Sequence, residues 1–225
     1  MSFVMEGRAS DSAYVEMIWH GGAYSEYRPI CPADTRWDLL LLRRGGQVTI
    51  SVEGPLTRAK PKVHPEGTEW RVIKFKLGAF MPNLPVTHLL DGTVTLPEGS
   101  RKTFWLHGST WEFPGVDDVE AFVARLVRAE VLVRDPLVHA VLNNQPPEVS
   151  ARTVRRRFLH ATGLTYKGIQ QIERAQQAMA LLQNGTPILD VTYQLGYADQ
   201  PHLTRTLKRF TGQTPAQISR PIQLV

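Results

Sequence analysis

The last third of this chain carries a pattern that repeats at an interval of 49 residues. At that interval Arg156 meets Arg205, Thr162 meets Thr211, Gly163 meets Gly212 and Thr165 meets Thr214. The apolar positions coincide too, Val154 with Leu203 and Phe158 with Leu207, as do the capping residues Ser150 and Asp199. Each copy has local reasons to be a helix. Ser and Asp accept hydrogen bonds from the free N–H groups of a first helical turn. Apolar residues four apart share one helical face. Gly163 and Gly212 stand where a helix ends in a left-handed residue.

Each repeated helix follows a shorter one. Thr186 is expected to cap and Pro187 to begin a helix whose Ile188, Val191 and Leu195 face inward, before Gly196 turns the chain. Helix, glycine turn, helix is the helix-turn-helix pattern. Upstream, Asp135 and Pro136 start a similar piece with Leu137, Val141 and Leu142. Its turn, Asn143 to Val149 with Pro146 and Pro147, has no glycine. Between the two units, residues 166–183 carry the stripe Ile169, Ile172, Ala175, Met179 and Leu182. A helix of 18 residues is about 27 Å long. Major-groove faces on one side of DNA recur every ~34 Å. Such a rod, with its turns, can offer two helices to adjacent grooves.

Charge is divided unequally. The chain of 225 residues has a formal charge of +5, yet residues 136–225 hold 10 Lys and Arg against 4 Asp and Glu. A basic module of this kind attracts a polyanion through counterion release.

Ahead of it the period is that of strands. Trp37 to Leu42 is apolar, Arg43-Arg44-Gly45-Gly46 is a turn, and Val48, Ile50 and Val52 alternate with Thr49, Ser51 and Glu53. Ile73, Phe75 and Leu77 alternate with Val72, Lys74 and Lys76. Several strands broken by turns suggest a barrel or sandwich. Asp117 or Asp118 then caps an expected helix with Val119, Phe122, Val123, Leu126 and Val127 on one face, running to about Val133. Pro136 marks the boundary. The reading is an α+β chain of two domains. Residues 1–116 form the β-rich domain, 117–134 a connecting helix, and 135–225 an all-α double helix-turn-helix domain.

The C-terminal residues closely resemble the AraC/XylS family of bacterial transcription regulators. The most specific stretch runs from Ile188 through Leu195-Gly196-Tyr197, Thr204-Arg205-Thr206-Leu207-Lys208-Arg209-Phe210 and the trailing Gly212-Gln213-Thr214-Pro215. Ser150 to Phe158 and Thr162 to Thr165 support it. Thr192 stands where the family usually has alanine, and Leu207 where it has phenylalanine. The resemblance implies an N-terminal cupin-like barrel for effector sensing or dimerisation.

Outward residues early in each second helix should reach base edges. With Val154 and Phe158 inward, Arg152, Thr153, Arg155 and Arg156 are free in the first unit. Gln200, His202, Thr204 and Arg205 are free in the second. Arg can donate twice to guanine and Gln can pair with adenine. Arg157, Lys208 and Arg209 are expected at phosphates, with Thr186 adding a contact. The bland alternatives are a solvated basic helix face, or an arginine bracing an acidic neighbour such as Asp190.

The expected partners are double-stranded DNA and, as candidates, a small-molecule effector, RNA polymerase and a second copy of the chain. No catalytic residue, metal or cofactor is expected. His20, His64, His88 and His107 are scattered, and His64 with Glu66 and Glu69 lacks a second histidine. The alternatives are an effector-independent regulator and a barrel enzyme fused to a DNA-binding domain. The five tryptophans, Trp19, Trp37, Trp70, Trp105 and Trp111, suit either an apolar pocket or a plain core. The lone Cys31 cannot form an internal disulfide. No apolar run is long enough for a membrane span, and the first residues, Met1 to Glu6, lack a signal pattern. A cytoplasmic address is the expectation.

Overall fold

The computed structural model describes residues 3–100, 102–145 and 148–220. Met1 and Ser2, read above for a signal pattern, and Pro146 and Pro147, in the expected first turn, lie outside the described residues. In chain order the strands are β1 (Phe3–Ala9), β2 (Val15–Ala23), β3 (Ile30–Cys31), β4 (Asp38–Arg44), β5 (Gln47–Glu53), β6 (Lys60–Pro61) and β7 (Thr68–Phe75). Then come β8 (Ala79–Phe80), β9 (Thr93–Thr95), β10 (Glu98–Ser100), β11 (Thr103–Leu106), β12 (Ser109–Glu112) and, after helix α1 (Val119–Arg128), β13 (Val133–Arg134). The remainder is helical: α2 (Pro136–Leu142), α3 (Ala151–Thr162), α4 (Tyr166–Gln183), α5 (Ile188–Gln194), α6 (Gln200–Thr211) and α7 (Pro215–Ile218).

Packing divides the chain into two compact units. One comprises Met1–Arg28, Arg36–Pro55 and Val63–Thr165; the other comprises Pro29–Thr35, Leu56–Lys62 and Tyr166–Val225. This division cuts across the boundary that periodicity suggests at residue 135. The α2–α3 pair groups with the β-rich unit, and the two short segments that carry β3 and β6 group with the later helices.

In the first unit six strands form an antiparallel sheet in the order β1-β2-β7-β4-β5-β9. Directly paired residues share a face. One row reads Ile18, Ile73, Leu39, Val52, and all four are at most 3% exposed. Phe75 extends this core and stacks on Trp37 at a centroid distance of 4.0 Å; Leu77, expected in the same strand, lies just beyond it. The opposite face is covered as well, by Ala23, Leu40 and Trp70 packed with Phe3, Tyr27, Leu42 and Val72. Covering both faces explains why the runs in β4 and β7 are more apolar than simple alternation. β1 and β9 are the sheet edges, and β10-β11-β12 form a separate three-stranded sheet.

The stripe expected on α1 is the one buried: Val119, Phe122, Val123 and Leu126. Phe122 meets Phe104 and Trp111 at 6.2 Å each. Arg8 holds Glu120 through two short hydrogen bonds, of 2.6 and 2.8 Å. The helix does not reach Val133 as expected; it stops at Arg128. Glu130 takes a left-handed turn at φ 55°. Val133 and Arg134 are drawn into strand pairing with Phe80 and Ala79, so a distant partner ends the helix. Asp118 occupies the cap position without a side-chain hydrogen bond.

Candidate nucleic-acid interface

Both repeated helices are built as their sequences specify. The Ser150 side chain accepts from Thr153 N at the start of α3, and that of Asp199 from His202 N at the start of α6. Both helices end on a left-handed glycine, Gly163 at φ 73° and Gly212 at φ 76°. Phe158 is 2% exposed, and Leu203 and Leu207 are fully buried. At 100° per residue these anchors place Arg156 and Arg205 on the far side of their helices.

Arg152, Arg155 and Arg156 are exposed on α3, and Thr153 is half-buried. The Thr153 hydroxyl lies 3.1 Å from that of Ser150, so it belongs to the cap. Arg157 has a partner: its Nε and Nη2 donate to both carboxylate oxygens of Asp135, at 2.8 and 2.6 Å. The same Asp135 caps α2 through Leu137 N and Val138 N. One buried carboxylate, 8% exposed, therefore ties the two helices of this pair together. The guanidinium expected at a phosphate is committed to the protein.

On α6, Gln200, Arg205, Lys208 and Arg209 are exposed, while His202 and Thr204 are half-buried. Thr204 donates its hydroxyl to Gln200 O, which leaves its methyl group as the outward feature. The His202 ring packs edge-on against Tyr197 at 5.3 Å. Its Nδ1 accepts from Ala198 N at 3.4 Å. That bond suits the tautomer with the proton on Nε2, a donor free for a base acceptor. Arg209 stacks over Phe210, 4.9 Å from the ring centroid, so its charge is held close to the helix.

α5 departs from expectation at its start. Pro187, not Thr186, is the cap residue, and no side chain caps the helix. Thr186 is half-buried and its N–H donates to Leu181 O. The end of α4 thus claims the residue. Thr192, the departure from the family's alanine, is 3% exposed and donates its hydroxyl to Ile188 O at 2.8 Å. The extra polar group is satisfied within its own helix.

No local pattern points to what holds the last turn of α6. Ala33 N donates to Phe210 O at 2.6 Å and Ala59 N to Arg209 O at 3.0 Å. Gln176 on α4 donates to Ala33 O at 2.8 Å. Ala33 and Ala59 come from the two segments carrying β3 and β6, which pair with each other. They fill carbonyls that a helix C-terminus leaves without intrahelical donors. Arg174 of α4 covers Tyr197, 4.5 Å from its ring centroid.

In the first unit, the sheet lines a cavity of about 790 Å³. Trp37 and Trp70 are both buried in core, and Trp105 is 46% exposed. Among the described residues, no cluster of three or more His, Cys, Asp or Glu could hold a metal ion, and no helix is long and apolar enough to cross a membrane.

A family profile described as a helix-turn-helix domain matches residues 148–220. The chain is 36% identical over 90 residues to the HTH-type transcriptional regulator RipA of Corynebacterium glutamicum. It is 34% identical over 73 residues to RipA of Corynebacterium diphtheriae. These matches cover 39% and 32% of this chain but only 27% and 22% of those proteins. Among solved structures, ToxT from Vibrio cholerae O395 aligns over 100% of this chain and 99% of its own at 10% identity, with a TM-score of 0.41. The twice-built capped helices, the glycine closures and the match over residues 148–220 make the C-terminal region a helix-turn-helix domain.

Proposed function

We propose that this chain is a sequence-specific, DNA-binding transcription regulator and not an enzyme. Residues 135–225 act together on the operator, reading two adjacent major-groove segments with α3 and α6. The observation that carries this reading is the paired Arg156 and Arg205. Each stands opposite the buried anchors of an independently capped helix, and both are exposed. A merely soluble basic surface has no need to repeat an arginine in the same place on two helices of one build. Arg152, Thr153, Arg155 and Arg156 contact bases in one segment, and Gln200, His202, Thr204 and Arg205 in the other. Lys208 and Arg209 contact phosphate, and Thr186 adds a further phosphate contact; Arg157 serves Asp135.

The β-rich region with its cavity is the place for a small-molecule effector, and the protein works in the cytoplasm, where its operator is. RNA polymerase and a second copy of the chain are further partners under this reading.

The test is a titration of Arg205→Ala and Lys208→Ala against operator and scrambled DNA. Arg205→Ala should weaken operator binding by ~1–3 kcal/mol and scrambled binding far less. Lys208→Ala should weaken both alike and reduce the salt slope. Equal weakening of both DNAs by Arg205→Ala would overturn the base-reading assignment.

A further inference from the structure

The sheet register carries charge onto a face that is otherwise core. Beyond the buried row of Ile18, Ile73 and Leu39, the same face continues as His20, Arg71 and Leu41, then Gly22, Glu69, Arg43 and Val48. Glu6 of β1 stands across from His20. These residues line the cavity of about 790 Å³, together with the segment around Phe113 and Pro114. The volume lies within the range of ligand sites, roughly 300–1,000 Å³.

The charges in this cavity are not evenly matched. Glu6 lies 3.6 Å from His20 and Glu69 lies 3.9 Å from Arg43, and both carboxylates sit at the open rim, 70% and 68% exposed. Arg71 is set deeper. Its Nη1 donates to the Pro114 carbonyl, and its Nε is cut off from solvent without a hydrogen-bond partner. It makes no ion pair among the described residues. Burial, and then the nearby Arg43, lower its pKa from the ordinary value, and the smaller opposing pull of Asp117 and Asp118 does not cancel them. Arginine stays charged all the same, so the fold holds a partly desolvated cation beside a second cation. An anion entering the cavity offsets both costs. Leu41, Val48 and Phe113 supply apolar wall for the rest of a ligand.

We propose that this cavity binds a small monocarboxylate with an apolar body, the carboxylate meeting Arg71 and Arg43 and the body lying along Leu41, Val48 and Phe113. A dianion is the poorer match, because Glu6, Glu69 and Glu112 also border the space. A bare oxyanion leaves the apolar wall unused. This assignment rests on the reading of the β-rich region as a sensor and names the chemistry of what is sensed.

The experiment measures binding to the full chain by calorimetry, with 4-phenylbutyrate, its neutral amide and inorganic phosphate as probes. The acid should bind at least about tenfold more tightly than the amide, the scale of a hydrogen-bonded charge. Arg71→Gln, checked for folding by thermal melting, should abolish that preference, Arg71→Lys should retain part of it, and Arg43→Gln should reduce it. Equal binding of acid and amide overturns the proposal. So does wild-type acid binding by folded Arg71→Gln, phosphate binding as tight as the acid, or no binding by any probe. If Arg71→Gln does not fold, Arg43→Gln and the acid-to-amide ratio decide. Operator affinity with and without saturating acid is read separately. An Arg71-dependent acid site with unchanged operator affinity upholds this assignment and overturns the sensor reading alone.

Discussion

Removing Arg157 should cost the protein stability and leave the electrostatics of DNA binding untouched. Asp135 accepts four hydrogen bonds, two from the first turn of α2 and two from Arg157. The carboxylate is 8% exposed and the arginine 41%. Arg157→Ala leaves a nearly buried charge with only its two backbone donors, a loss of ~1–3 kcal/mol. Asp135→Ala removes the cap, ~1 kcal/mol, and the pair as well. The freed arginine recovers water, so the total should be ~2–3 kcal/mol. The double variant should then cost less than the sum of the singles, with a coupling of ~1 kcal/mol. Urea denaturation of the four proteins measures this. In parallel, the dependence of DNA affinity on salt should have the same slope in Arg157→Ala as in the wild type. Loss of a phosphate contact lowers that slope by about 0.9. Additive stability losses, or a slope reduced by about one, would refute the assignment of Arg157 to Asp135.

Two glycines with nearly equal backbone angles should respond differently to alanine. Gly196 sits at φ 67° in open space and should lose only the left-handed strain of ~1 kcal/mol. At Gly212, also left-handed, a new Cβ would come within 2.7 Å of Ile30 Cγ2, so Gly212→Ala should cost ~1–3 kcal/mol more. Equal melting temperatures for the two variants would show that β3 does not bear on α6 in solution. The Arg8 guanidinium holds the Glu120 carboxyl well below its ordinary value, at about 2. Its stabilisation is therefore present above the unfolded value near 4.5 and is lost as pH falls through about 2. The pair is partly solvated, so the effect is well under ~1 kcal/mol. Glu120→Gln should be slightly less stable than wild type at neutral pH, and the gap should close on acidification. A constant gap from pH 7 to pH 2 would count against the pair.

The three longest helices of the C-terminal half were legible because their signals are local. Ser150 and Asp199 cap within three residues, Gly163 and Gly212 terminate through their own φ, and the stripe of α4 needs only a period of 3.6. Their bounds, and the burial of Phe158, Leu203 and Leu207, follow from the sequence for that reason. Where a distant partner competes, local reading fails. α1 ends early because Val133 pairs with Phe80. Thr186 gives no cap because the helix starts one residue later, with Pro187 in the cap position, while the N–H of Thr186 closes the end of α4 on Leu181.

What the sequence alone determined is which residues stand outward on two capped helices, since capping and helical period act over one or two turns. What tertiary structure decided is which charges are spent and which are left open. Arg157 is taken by Asp135, 22 residues away, and the carbonyls closing α6 are met from Ala33 and Ala59. Arg71 is set beside Arg43 by a strand register that no local pattern encodes. Ion pairs and sheet faces depend on what folding brings together in space, where separation along the chain has no say.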